Sequence, residues 1–143
     1  MAEQEGVLQL IPRTPPQRRC LIVEDSAFDC EKLKRIVSRL PAPLGIEVAT
    51  TLRAARRALE NNAMALILLD NNLPDGFGAN FALELADHPL LGDIPIIMVS
   101  DWPSPFMWQK AESAGVAYVL SKSEIGIRHL KAALEGRKGR LLN

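Results

Sequence analysis

Long apolar runs are missing from this sequence: no stretch approaches the ~20 consecutive apolar residues of a membrane-spanning helix, so no span is expected. Cysteine is scarce. Cys20 and Cys30 are too few for a disulfide framework, and they show no metal-ligand spacing with the two histidines, His88 and His129. Both cysteines read as buried thiols of a reduced compartment. An excess of either charge is also lacking, because 17 basic and 17 acidic side chains cancel. No overall field then draws the molecule to nucleic acid or to an anionic membrane, and partners must be recognised locally. Met1 to Arg19 offers acidic residues and prolines where a signal peptide needs an apolar stretch. A cytoplasmic protein is expected.

What is present suits one ordinary core. The 143 residues, 48% of them hydrophobic, are enough for one domain and too few for two. Residues 1–18, with Pro12, Pro15 and Pro16, have linker chemistry and one short apolar patch, Val7 to Ile11, and are expected to be a tail. Cys20 to Val23 is a short apolar run, and Leu33, Ile36, Val37 and Leu40 then repeat at helical spacing until Pro41. The alternation continues. Strands are expected at 45–50, 65–69, 95–99 and 116–120, followed by helices at 51–60, 78–86, 105–114 and 124–134. Residues 136–143 are left as a second tail, and nothing remains for an output domain.

Near-continuous apolar runs such as Leu66 to Leu69 mean strands covered on both faces, which requires a parallel sheet with helices on each side. The expected class is a doubly wound α/β fold. Such sheets hold their ligands beyond the carboxyl ends of the strands, where the winding reverses. Reading past each strand gives Glu24 and Asp25 after the first, Asp70 after the third, Ser100 after the fourth and Lys122 after the fifth. Singly, each has an ordinary explanation, since strand-end Asp and Ser often cap the next helix and Lys is usually solvated. Together they do not. Two carboxylates ~4 Å apart repel by about 4 kcal/mol at an effective dielectric of 20, so the cluster calls for a cation. An all-oxygen site with room for water suits magnesium better than calcium.

Five segments, Val23-Glu24-Asp25, Leu69-Asp70-Asn71-Asn72-Leu73-Pro74, Val99-Ser100, Gly115-Val116-Ala117 and Ser121-Lys122, carry a resemblance. In this order and at these intervals, the chain resembles the receiver domains of bacterial response regulators over about residues 18 to 135, with the domain bounded at 19–135. The resemblance implies a flavodoxin-like five-stranded parallel sheet in the order 2-1-3-4-5. It also implies that Asp70 is the phosphoacceptor, that Asp25, Glu24, Asp70 and the backbone carbonyl of Asn72 hold Mg2+, and that Ser100 and Lys122 contact phosphoryl oxygens. A stand-alone signalling module is then expected, accepting phosphate from a histidine kinase or a histidine phosphotransfer protein and acting through an unknown downstream protein. It would be no enzyme beyond promoting its own phosphorylation and dephosphorylation.

Three residues depart from the pattern. Ser123 stands where the family usually has proline after the lysine, so a trans Lys122–Ser123 bond is expected. Val119 occupies the usual aromatic switch position, with Tyr118 displaced by one onto the opposite face. Asp101 follows Ser100 where a small residue is usual. These departures suggest an alternative, a phosphorylation-independent adaptor with the receiver fold. A magnesium-dependent phosphohydrolase of the haloacid-dehalogenase kind needs a second aspartate two residues beyond the first, and here that residue is Asn72. The fourth helix is expected to start late, with Ser104 as N-cap and Pro105 in its first turn. Met107, Ala111 and Ala114 would face the core, leaving Trp102 and Trp108 near the surface, either as partner anchors or over a small loop-side cluster.

Asp101 generates a test. A carboxylate beside Ser100 should raise the phosphorylation barrier by a net ~1 kcal/mol after screening, so Asp101→Ala is expected to be modified roughly fivefold faster by a small anionic donor. If Asp101 instead caps the fourth-helix region, the substitution lowers the melting temperature and leaves the rate unchanged.

Overall fold

The computed structural model describes residues 18–136. Except for Arg18 and Gly136, both expected tails lie outside the described residues, as does the Val7 to Ile11 patch. In chain order the elements are β1 (Arg19–Val23), α1 (Ala27–Ser38), β2 (Gly45–Ala49), α2 (Leu52–Asn61), β3 (Leu66–Asp70), β4 (Asn72–Leu73), β5 (Gly76–Phe77), α3 (Gly78–Ala86), β6 (Ile96–Val99), α4 (Pro105–Ala114), β7 (Tyr118–Leu120) and α5 (Ile127–Leu134). The main sheet has five parallel strands in the order β2-β1-β3-β6-β7. This is the expected 2-1-3-4-5 order. Among the described residues, no helix is long and apolar enough to cross a membrane.

Alternation along each strand divides the core in two. Leu21, Val23, Ile67, Leu69, Met98 and Val119 meet α2, α3 and α4 on one face. Cys20, Ile22, Leu66, Leu68, Ile97, Val99 and Tyr118 meet α1 and α5 on the other. Val119 and Tyr118 therefore do lie on opposite faces, and Tyr118 rests edge-on against His129 with ring centroids 5.0 Å apart. Both cysteines are free and buried, and burial pushes the Cys20 thiol up to about 12.

Local chemistry sets the helix starts. Ser26, Thr51 and Ser104 cap α1, α2 and α4 by accepting the N–H of Asp29, Ala54 and Met107. α5 begins three residues later than the apolar spacing predicts. Glu124 spends its carboxylate on the Ser121 N–H at 2.9 Å, closing a turn, and the extended Gly126 then starts the helix with its N–H donated to Nδ1 of His129. Met107 and Ala111 are buried and Ala114 packs against the same cluster. Trp102 is 88% exposed, and Trp108 is half-buried, packed against the edge of the core.

A short antiparallel hairpin, β4 paired with β5, follows β3 and was not foreseen from the sequence. Asp75 in its turn accepts the N–H groups of Leu52 and Arg53 at 2.8 and 3.0 Å, tying the hairpin to the start of α2. The hairpin returns the chain so that Gly78 sits against β3. A Cβ at Gly78 would lie 2.1 Å from the carbonyl oxygen of Asp70, so only glycine fits there. Gly78→Ala is expected to cost at least ~2 kcal/mol, a fall in melting temperature of roughly 8 °C. Calorimetry of the two proteins checks this.

Candidate functional site

Strand parity brings the site together. Glu24 continues β1, Asp70 ends β3 and Lys122 lies two residues past β7, all in phase with the residues that face α1 and α5. Ser100 follows Val99, the residue in register with Asp70, and its N–H is held by the Leu120 carbonyl at 2.9 Å. Glu24, Asp70 and Ser100 are buried, whereas Asp25 is exposed at the rim. Oxygens of Glu24, Asp25 and Asp70 lie within 4.8 Å of one another.

Lys122 enters this acidic group from β7. Its ammonium stands 2.8 Å from Oε1 of Glu24 and 3.9 Å from Oδ1 of Asp70, and it donates a hydrogen bond of 2.7 Å to Oδ2 of Asp29. Burial alone would lower its pKa, but the contacts with Asp29 and Glu24 and the charge of Asp70 hold it above the ordinary lysine range. Asp29 is a partner of Lys122 that sequence reasoning missed. It sits one turn into α1 instead of at a strand end, and its position beside Ser26 reads as ordinary N-terminal helix chemistry.

The loop after Asp70 is fastened by its own side chains. The Asn71 N–H donates to Oδ1 of Asp70 at 2.9 Å, and Oδ1 of Asn71 accepts the Ala79 N–H at 3.0 Å. Asn72 is exposed in β4, two residues beyond Asp70. The sequence from 121 to 124 forms a turn in which the Ser121 and Ser123 hydroxyls are 3.0 Å apart, and no peptide bond among the described residues is cis, so Lys122–Ser123 is trans as expected. Asp101 is exposed and does not cap α4, a role filled by Ser104, which removes capping as an explanation for the aspartate.

A cation fits these residues. Glu24 is buried, and three carboxylates share the cluster with a single ammonium inside it. Such hard oxygen donors match a hard divalent ion. The electrostatics carry the same message at Asp70, whose pKa is pushed from 3.8 up to about 7, first by burial and then by the negative charge of Glu24, with Lys122 and the Asn71 N–H pulling it down.

A doubly wound α/β domain with acids, a hydroxyl and a lysine at the carboxyl ends of its strands defines the class. Within that class, the profile of the response regulator receiver domain matches residues 20–135, and the chain belongs to that family. It is 28% identical over 137 residues to a gliding motility regulatory protein of Myxococcus xanthus, covering 94% of this chain and 17% of that protein. The chain thus spans about a sixth of the length of that curated relative. Among solved structures, a CheY-like receiver domain protein from Methanospirillum hungatei JF-1 superimposes with a TM-score of 0.73 at 25% identity, covering 85% of this chain and 97% of that one. The Mn2+-bound form of the response regulator Rcp1 has the same fold, with a TM-score of 0.69 at 22% identity over 82% and 90% of the two chains.

The raised Asp70 carboxyl has a measurable consequence. Between its unfolded value of 3.8 and its folded value of about 7, the folded protein binds this proton more tightly than the unfolded chain. This group's contribution to stability therefore declines as pH rises through that window. Without divalent cations, Asp70→Asn is expected to be more stable than the parent at pH 8, by on the order of 2 kcal/mol, and no more stable near pH 4. Thermal melts at the two pH values check the difference.

Proposed function

We propose that this receiver domain accepts a phosphoryl group on Asp70 from the phosphohistidine of a histidine kinase or phosphotransfer protein, and signals by a change in its protein contacts. The observation that carries this reading is the burial of Asp70 beside Glu24, with the Lys122 ammonium 3.9 Å from its Oδ1. A carboxylate oxygen of Asp70 attacks phosphorus, the donor's P–N bond breaks, and the imidazole leaves and takes a proton from solvent. The product is an acyl phosphate. Phosphoryl transfer needs alignment of donor and acceptor and neutralisation of charge on the equatorial oxygens. Asn71 orients the acceptor through its backbone N–H, Lys122 supplies a positive charge, and the Ser100 hydroxyl is a hydrogen-bond donor for a phosphoryl oxygen. Magnesium, held by Glu24, Asp25, Asp70 and the Asn72 carbonyl, would supply the remaining charge relief.

Changing Ser100's partner would bias the loop that leads through Asp101 and Trp102 to α4, turning local charge into a surface change. The module would perform no turnover on other substrates. Its downstream partner would be a protein, in keeping with the balanced charge and the exposed Trp102 and Phe106.

Incubation with magnesium and a small phosphodonor is expected to add one phosphoryl group to the parent and none to Asp70→Asn, read from intact mass. No gain in the parent would leave the phosphorylation-independent adaptor as the reading. Lys122→Arg is not expected to restore what Lys122→Ala loses, because the planar guanidinium is longer than an ammonium and shaped differently. Full phosphate-dependent behaviour in Lys122→Arg would contradict the role given to the lysine. Magnesium titration followed by tryptophan fluorescence is expected to show saturable quenching in the parent and none in Asp25→Ala.

A further inference from the structure

Asp29 is the acid at this site that stands apart from the metal-binding trio of Glu24, Asp25 and Asp70. It faces the lysine instead. An ammonium has three donors and no acceptor, and Lys122 directs one of them to Oδ2 of Asp29 at 2.7 Å. The ammonium also lies 2.8 Å from Oε1 of Glu24, whereas Asp70 at 3.9 Å is beyond hydrogen-bond reach. Asp29 is therefore the nearest carboxylate to this ammonium and holds it from the α1 side, away from Asp70. Both partners are largely withdrawn from water, with side chains 15% and 23% exposed, so the pair is screened less than a surface ion pair. The residue is also anchored: its backbone N–H donates to the Ser26 hydroxyl at 3.2 Å, in the first turn of α1, where the helix dipole favours negative charge.

We propose that Asp29 is a positioning residue that holds the Lys122 ammonium away from Asp70 and competes for it with the oxygens of an incoming phosphoryl group. This rests on the phosphoacceptor reading above. Lys122 then has two anionic berths, one on α1 and one at the phosphoryl group, and moving between them breaks the hydrogen bond that joins α1 to the loop after β7. Phosphorylation would be resisted by the strength of that bond and would free the first turn of α1 when complete. A purely structural salt bridge predicts the opposite sign, since its loss would weaken the site.

Beryllofluoride, a phosphoryl mimic that binds a carboxylate without covalent transfer, provides the test. Its affinity in saturating magnesium is measured by 19F NMR titration for the parent, Asp29→Asn, Asp29→Ala and Glu31→Gln. Glu31 lies on the same helix, exposed and paired with Lys34 at 2.9 Å, so Glu31→Gln removes an equal charge without touching Lys122. Both Asp29 variants are expected to bind about fivefold tighter than the parent, with Glu31→Gln unchanged. Equal or weaker binding by the Asp29 variants overturns the inference, as does an equal gain in Glu31→Gln, which would mean a diffuse charge effect. A parent that neither binds beryllofluoride nor gains a phosphoryl group overturns the phosphoacceptor reading itself, and this inference with it.

Discussion

One ammonium, that of Lys122, is surrounded by Glu24, Asp29 and Asp70, with Asp25 at the rim of the same cluster. Four carboxylates against one lysine leave the carboxyl edge of the sheet short of positive charge, and burial of Glu24 and Asp70 denies them the screening of bulk water. Burial of the two apolar clusters offsets the cost of this imbalance. The imbalance is also what makes the site receptive to a cation. A domain optimised for stability alone would place neutral residues here, so the cost is concentrated where the proposed chemistry occurs.

Rigid backbone around Asp70 makes the arrangement reproducible. β3 is central, paired with β1 on one side and β6 on the other, and its side chains are buried along its whole length. Just past it, Gly78 packs directly on the Asp70 carbonyl, and Asn71 locks the chain on both sides of the turn. The hairpin that this requires is secured to α2 through Asp75, whose carboxyl is held below the usual carboxylate range by the Leu52 and Arg53 N–H groups. Lys122, by contrast, rests on a turn closed by Glu124 and two serines. Asp70, the proposed acceptor, is fixed by backbone packing, and its cationic neighbour by side-chain contacts.

Two of the three residues that differ from the family pattern, Asp101 and Val119, lie on the α4 side of the site. Val119 is buried in the cluster with Met98 and Met107, so no aromatic ring is available at that position to swing between core and surface. Tyr118 is occupied on the other face by His129, whose own Nδ1 accepts the Gly126 N–H. Trp102 and Phe106 are exposed on the loop and first turn leading into α4. Any readout of the phosphoryl group in this direction would run through backbone and loop, with no rotamer flip at position 119.

Much of this was legible from the chain alone. Apolar runs flanked by turn residues gave five strands, and the continuity of the central ones required helices on both faces. The strand ends then supplied Glu24, Asp25, Asp70, Ser100 and Lys122, because a parallel sheet gathers its carboxyl ends whatever the details of its loops. Only the tertiary structure decided what local patterns do not encode. The β4–β5 hairpin is too short for periodicity to reveal, and α5 starts late because Glu124 and His129 divert local donors into a turn and a cap. Asp29 lies 93 residues from Lys122 in sequence, and their 2.7 Å contact exists because α1 and the end of β7 share one face of the sheet. Strand parity can be read from spacing, but which helix end lies over which strand end depends on how the layers pack.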